Sequence, residues 1–134
     1  MTLRRKSREF AIQMLFEWDI TQRKPKEVEQ NFWKQAKASE PTRKFANELF
    51  EGAVSQAKAS DALIEELSAN WKFDRIASVD RSILRLAIYE FRFGTAPVKV
   101  VIDEALELGK KFSSAESPSF LNGVLDAAYK KLES

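Results

Sequence analysis

The chain contains neither histidine nor cysteine. That removes the commonest general base, the Cys-His and Ser-His nucleophile pairs, and the thiolate and imidazole metal ligands. Carboxylates, hydroxyls and cations remain. Glu65-Glu66 and Asp103-Glu104 are adjacent acids, but neighbours on a helix point about 100° apart and do not converge. Asp103 and Glu107 share a helix face and have the spacing for a hard cation. Lys110 and Lys111 lie one to two turns on, so the simpler reading is a solvated face with i,i+4 pairs. Gly52, Gly94, Gly109 and Gly123 are isolated, so neither GxGxxG nor a P-loop exists. The expectation is a protein that is not an enzyme and uses no cofactor or metal.

The chemistry that is present suits nucleic acid. Arg4, Arg5, Lys6 and Arg8 precede the first acid, Glu9. The whole chain carries only +2, so this local cluster matters more than the total. At about 100° per residue, Phe10, Ala11, Met14, Leu15 and Trp18 form one stripe, which should face a core. Arg5, Arg8, Ile12 and Phe16 fall on another arc, a basic strip with an aromatic. Guanidinium groups bind phosphates and stack on bases, and aromatic rings are stacking platforms. The arc therefore suits single-stranded RNA or DNA; alternatively it is a solubilising end, with Phe16 packed on another helix.

Two further constellations stand out. Ser119-Phe120-Leu121-Asn122-Gly123-Val124 places glycine in a helix at a cost of roughly 1 kcal/mol, which points to close helix packing at Gly123. Phe120 and Asn122 are left to line a surface for bases. Asn70-Trp71, with Asp74, Arg75, Asp80 and Arg81, reads as a partner-docking edge, because Trp and Arg are frequent anchors there. The alternative for Trp71 is a plug between two halves of the fold.

The elements that position these residues read as six or seven helices and no sheet, an all-α chain. The first runs from about Arg4 to Thr21 and is broken at Lys24-Pro25. The second reaches about Ala38, and the third spans about Thr42 to Lys58 after Ser39-Glu40-Pro41. Ser60-Asp61 caps a short fourth helix or marks a bend. The fifth spans about Ser78 to Phe93, is apolar nearly all round and so belongs inside a bundle, with Gly94 as its C′ residue. The sixth runs from Pro97 to Phe112. Ser117-Pro118 opens the last, as N-cap and first-turn proline. At 134 residues, 44% hydrophobic and 31% charged, the chain is one domain with halves of about 1–69 and 70–134. No run approaches 18 uncharged apolar residues, and acids interrupt the segment after the basic N-terminus. Neither a membrane helix nor a signal peptide is expected, and a cytoplasmic location is.

Taken in order, four segments resemble the NusB family of transcription antitermination factors. They are Arg4-Arg5-Lys6-Ser7-Arg8-Glu9 through Gln13-Met14-Leu15-Phe16-Glu17-Trp18-Asp19, then Asn70-Trp71 with Val79-Asp80-Arg81-Ser82-Ile83-Leu84-Arg85-Leu86-Ala87-Ile88-Tyr89-Glu90. Pro97-Val98-Lys99-Val100-Val101-Ile102-Asp103-Glu104-Ala105 with Lys110-Lys111-Phe112 follows, and Ser117-Pro118-Ser119-Phe120-Leu121-Asn122-Gly123-Val124-Leu125-Asp126 closes the pattern. The resemblance implies two small packed helical bundles. It implies binding to the boxA element of ribosomal RNA operon leaders together with NusE, a small-subunit ribosomal protein, within the complex that keeps RNA polymerase processive. Carried over, RNA contacts fall on Arg4, Arg5, Lys6, Arg8 and Phe16, with Arg85, Phe112, Ser119 and Phe120; NusE contacts fall on Asp74, Arg75, Val79 and Asp80.

The chain departs from the family pattern at four positions. Phe16 stands where the family often has tyrosine, Asp103 where asparagine is common, Gly109 where alanine is common, and Ser119 where a basic residue can occur. The modest charge implies weak RNA binding alone and tighter binding with the partner docked. A NusB-like domain also precedes a methyltransferase in some RNA-modifying enzymes, but this sequence lacks a cofactor-binding segment. A helical adaptor with no RNA role is the other alternative.

Overall fold

The computed structural model describes residues 2–68 and 75–134, and among them there are seven α-helices and no strand. Helix α1 spans Leu3–Thr21. It starts where the Thr2 hydroxyl accepts the Arg5 N–H at 3.1 Å, a side-chain N-cap. It stops at Gln22, whose left-handed φ of 59° lets its N–H reach the Trp18 carbonyl. The break read at Lys24-Pro25 thus begins two residues earlier, and Pro25 instead opens α2, Pro25–Gln35.

Helix α3, Glu40–Ser55, begins with Ser39 as cap and Pro41 in its first turn. It ends earlier than expected, because Gln56 leaves helical geometry and α4, Ala57–Leu67, starts immediately. Ser60 and Asp61 lie inside α4 and cap nothing, which corrects the expected break there.

Helix α5, Ser78–Phe93, has the predicted bounds. It packs against α1, α3, α4, α6 and α7, and Ile83, Leu84, Leu86, Ala87 and Ile88 are all buried. An apolar circumference finds partners on every side only at the centre of a bundle. Gly94 follows α5 with φ −83°, so its expected role as a left-handed C′ residue is not used.

Helices α6, Val98–Phe112, and α7, Ser117–Glu133, pack on each other and on α5. Their close approach is at Gly109, where an added Cβ would lie 2.6 Å from Leu121 Cδ1 and 2.8 Å from Ser117 Oγ. Gly123, the glycine expected to mark close packing, is exposed and would meet nothing within 4 Å. Ser117 is the first residue of α7 rather than its cap, because its hydroxyl is turned to Asp80.

One apolar cluster runs through the molecule, from Phe10, Met14 and Leu15 through Phe50 and Ile64 to Leu121 and Leu125. The α2 helix is attached by an aromatic triangle, with Phe10, Phe32 and Trp33 edge-to-face at 4.8–5.6 Å between centroids. Such contacts contribute about 0.5–1.5 kcal/mol each beyond area burial. Among the described residues, no helix is long and apolar enough to cross a membrane.

Candidate nucleic-acid interface

The N-terminal turns of α1 present Arg4, Arg5 and Lys6 to solvent, and each is oriented by a neighbour. The Arg4 guanidinium stands 5.1 Å over the Phe45 ring, and Lys6 Nζ stands 4.9 Å over Phe10. Arg5 crosses to α6 and binds Glu104 through Nε at 3.0 Å and NH2 at 3.1 Å. These contacts hold three cations in place while leaving their outer faces wet, the state in which a cation can exchange a partner for phosphate.

Arg8 does not join them. Its side chain is 3% exposed and forks onto the Glu90 carboxylate with Nε at 2.9 Å and NH2 at 2.8 Å. Ser7, Arg8 and Glu9 are all buried because α1 is packed by both α3 and α5, with the Ser7 hydroxyl donating to the Thr42 carbonyl. Ile12, placed on the same arc, is buried too. The expectation of an exposed Arg5-Arg8-Ile12-Phe16 strip is thus corrected to exposed ends with a packed middle.

Arg85 is likewise interior, at 4% exposure. It binds Asp61 through Nε and NH2 at 2.7 and 2.8 Å and Asp19 through NH1 at 2.8 Å, and lies 5.5 Å over Trp18. Burial alone would raise the Asp19 carboxyl. Hydrogen bonds from Ser78, Arg81 and Arg85 outweigh it and hold the group at about 2. This cluster ties α1, α4 and α5 together and positions the surfaces on either side of it.

Farther along α1, Phe16 is exposed and shares a groove of about 400 Å³ with Phe112, Val79, Phe32, Ile12 and Gln13. The structure therefore brings together Phe16 and Phe112, expected at RNA, with Val79, expected at the protein partner. Lys111 flanks this groove. Its Nζ binds Glu9 at 2.8 Å and stands 5.4 Å over Phe112. The expected pairing of Lys111 along its own helix is replaced by this bridge to α1.

A second cavity, of about 380 Å³, places Phe120 beside Arg75, Ile76, Ala77, Asp80 and Ser117. Arg75 is exposed. Asp80 is buried, and its carboxylate accepts the Ser117 hydroxyl at 2.6 Å. It joins α5 to α7, a correction to its reading as an exposed partner contact. Ser119 is exposed on the outer face of α7. Asp74, Asn70 and Trp71 lie outside the described residues.

Sequence reasoning missed Glu104 as the partner of Arg5, and Glu9 and Lys111 as a pair. No local pattern reveals them, because each pairs about a hundred residues away in the chain. Among the described residues, no cluster of three or more acids is arranged to hold a metal ion. The geometry supplies cations along one helix and apolar aromatic recesses beside it, the residue types that contact phosphates and stack bases.

Comparison with known proteins identifies the family and the fold. The family model described as NusB family matches residues 5–130. The chain is 46% identical over 132 residues to the transcription antitermination protein NusB of Koribacter versatilis, covering 97% of this chain and 90% of that protein. It is 44% identical over 131 residues to the protein of the same name from Anaeromyxobacter dehalogenans, covering 94% and 90%. Among solved structures, it is similar to a chain in the crystal structure of antitermination factors NusB and NusE in complex with double-stranded RNA. There the TM-score is 0.85 at 29% identity, with 98% of each chain covered.

Proposed function

The chain belongs to the NusB family, and from that premise we propose that it binds boxA-type RNA of ribosomal RNA operons together with NusE. In this role it supports processive transcription by RNA polymerase in the cytoplasm. The family is one of antitermination factors, not of enzymes. The observation that carries the reading is that one helix, α1, bears exposed cations in its first turns and, farther along, Phe16 in a groove with Phe112.

In this reading Arg4, Arg5 and Lys6 attract the phosphates, with affinity that falls as salt rises. Phe16, Phe112 and Phe120 stack bases at roughly 1–3 kcal/mol each, and Ser119 supplies a hydroxyl at the edge. Arg8 and Arg85 keep α1 and α5 in register beneath that surface. Arg75 and Val79 face NusE, with Asp80 behind them holding α7. Val79 shares the groove of Phe16, and Arg75 the cavity of Phe120, which supports RNA and partner binding side by side. Docked NusE then enlarges the RNA site, so affinity for RNA rises with partner present.

Fluorescence anisotropy of a boxA-like RNA across a salt series, with and without NusE, tests this. Binding that strengthens with NusE and weakens with salt is expected. NusE docking with no RNA binding in either condition would leave a protein adaptor instead.

A further inference from the structure

At the far end of the basic arm, the N-terminus of α1 meets the C-terminal turn of α5 and the middle of α3. There an open cleft of about 330 Å³ is lined by Arg4, Phe45, Glu48, Tyr89 and Phe93, with Glu90 at one wall. Phe93 is 57% exposed. It is not loose, because it rests against Tyr89 with centroids 5.6 Å apart and planes tilted by 33°. Tyr89 is in turn seated on Gly52 of α3, where any Cβ would overlap its ring. On the opposite side Arg4 stacks over Phe45. Glu90 is taken by Arg8, which leaves Glu48 as the other carboxylate lining the cleft.

We infer that this cleft holds one nucleotide of single-stranded RNA beyond the segment bound along α1, with its base stacked on Phe93 and its phosphate on Arg4. This rests on the RNA-binding function proposed above and extends it. Three features select this occupant. Arg4 belongs both to the basic arm and to the cleft, so a strand lying along α1 passes directly into it. The cleft joins a cation to a supported, exposed ring, the pairing that single-stranded nucleic acid uses. Glu48 accepts hydrogen bonds only, so it favours a base with an exocyclic amine, such as cytosine or adenine, over uracil. The positive end of the α1 dipole adds to the attraction for phosphate.

The test compares a boxA-like core RNA with the same core lengthened by two nucleotides at one end or the other, each titrated into the chain with NusE. Lengthening at one end is expected to tighten binding. Phe93→Ala is expected to remove that gain, a loss of roughly five- to 150-fold for one stacked base, and to leave the core affinity unchanged. Phe93→Trp restores the gain, and Glu48→Gln narrows the preference for cytosine over uracil at the added position. Core binding with no gain from either extension, or a gain that Phe93→Ala does not alter, overturns the cleft assignment and leaves the function standing. Loss of NusE affinity in Phe93→Ala with RNA affinity intact overturns it too, by making the cleft a protein contact. Failure of the unmodified chain to bind either RNA removes the functional reading and this inference together.

Discussion

Arg8 and Glu90 form a closed two-bond fork across the α1–α5 interface, at 2.9 and 2.8 Å, with side chains 3% and 4% exposed. The pair sits directly beneath the exposed cations of α1, so the basic arm is mounted on an interior ion pair. Removing one partner strands the other charge away from water, which typically costs 3–5 kcal/mol. Arg8→Ala is therefore expected to lose about that much stability in urea unfolding. Arg8→Met combined with Glu90→Leu should regain most of it, because neither charge remains to be solvated. Equal losses in the single and double variants would show that a stranded charge is not the source of the cost. Arg8→Lys is not a conservative change here, since an ammonium cannot reproduce the fork.

Arg5 is the exposed counterpart, held to Glu104 rather than free. To contact a phosphate it must exchange that carboxylate, so Glu104 competes with RNA. Glu104→Gln is expected to raise RNA affinity about two- to fivefold at low salt, because an exposed ion pair is only weakly held. Arg5→Ala should lower affinity and reduce the salt slope by roughly 0.7 for a single-stranded contact, with thermal stability nearly unchanged. A salt slope identical to that of the parent would remove Arg5 from the interface.

Glu29 gives the fold a pH dependence near neutrality. It is buried on α2 with one carboxyl oxygen lacking a donor. Burial, followed by the hydrogen bond and charge of Glu51, pushes it up to about 7 from an ordinary 4.5, against the pull of Lys26. Because the folded value is the higher one, the protonated form is favoured on folding. Its contribution is fully present below the unfolded value of about 4.5 and is lost as pH rises through about 7. Glu51 is held below its usual range by the same bond, so its titration falls in a separate, more acidic window. The melting temperature is expected to drop between pH 5 and pH 8, and Glu29→Gln should flatten that profile, matching the parent at pH 5 and exceeding it at pH 8. Parallel profiles for the two proteins would contradict this.

The glycines separate cleanly. Gly123→Ala places a methyl in open space within a helix and should stabilise by up to about 1 kcal/mol through helix propensity. Gly109→Ala gains the same propensity but pushes into Leu121 and Ser117 at 2.6 and 2.8 Å. Overpacking costs about 1–3 kcal/mol, so a net loss is expected. Thermal unfolding of both variants checks the pair, and the opposite order would mean that α7 moves away from α6 at little cost.

These positions also show what the sequence made legible. The nearly all-apolar circumference of α5 marked its central place, since that pattern has few other solutions. The exposed cations Arg4, Arg5 and Lys6 and the aromatic Phe16 were visible as a local cluster. The fate of Arg8 was not, because helical periodicity places a residue on an arc but says nothing about a carboxylate 82 positions away. The same limit applied to Arg85 with Asp61 and Asp19, and to Asp80 with Ser117. Gly123 carried the expected signal for close packing while Gly109 carried the packing itself, a distinction decided by which face of each helix meets its neighbour.

In the proposed function RNA lies along α1 from Arg4 to Phe16 and reaches Phe112, with NusE alongside. Amide hydrogen exchange of the chain bound to NusE, with and without boxA-like RNA, tests it directly. RNA is expected to slow exchange in the first turns of α1, around Phe16 and at the C-terminal turn of α6 carrying Phe112, and to leave the outer face of α2 unchanged. RNA-dependent protection confined to α2, α3 or α4, with α1 exchanging as before, would contradict the account.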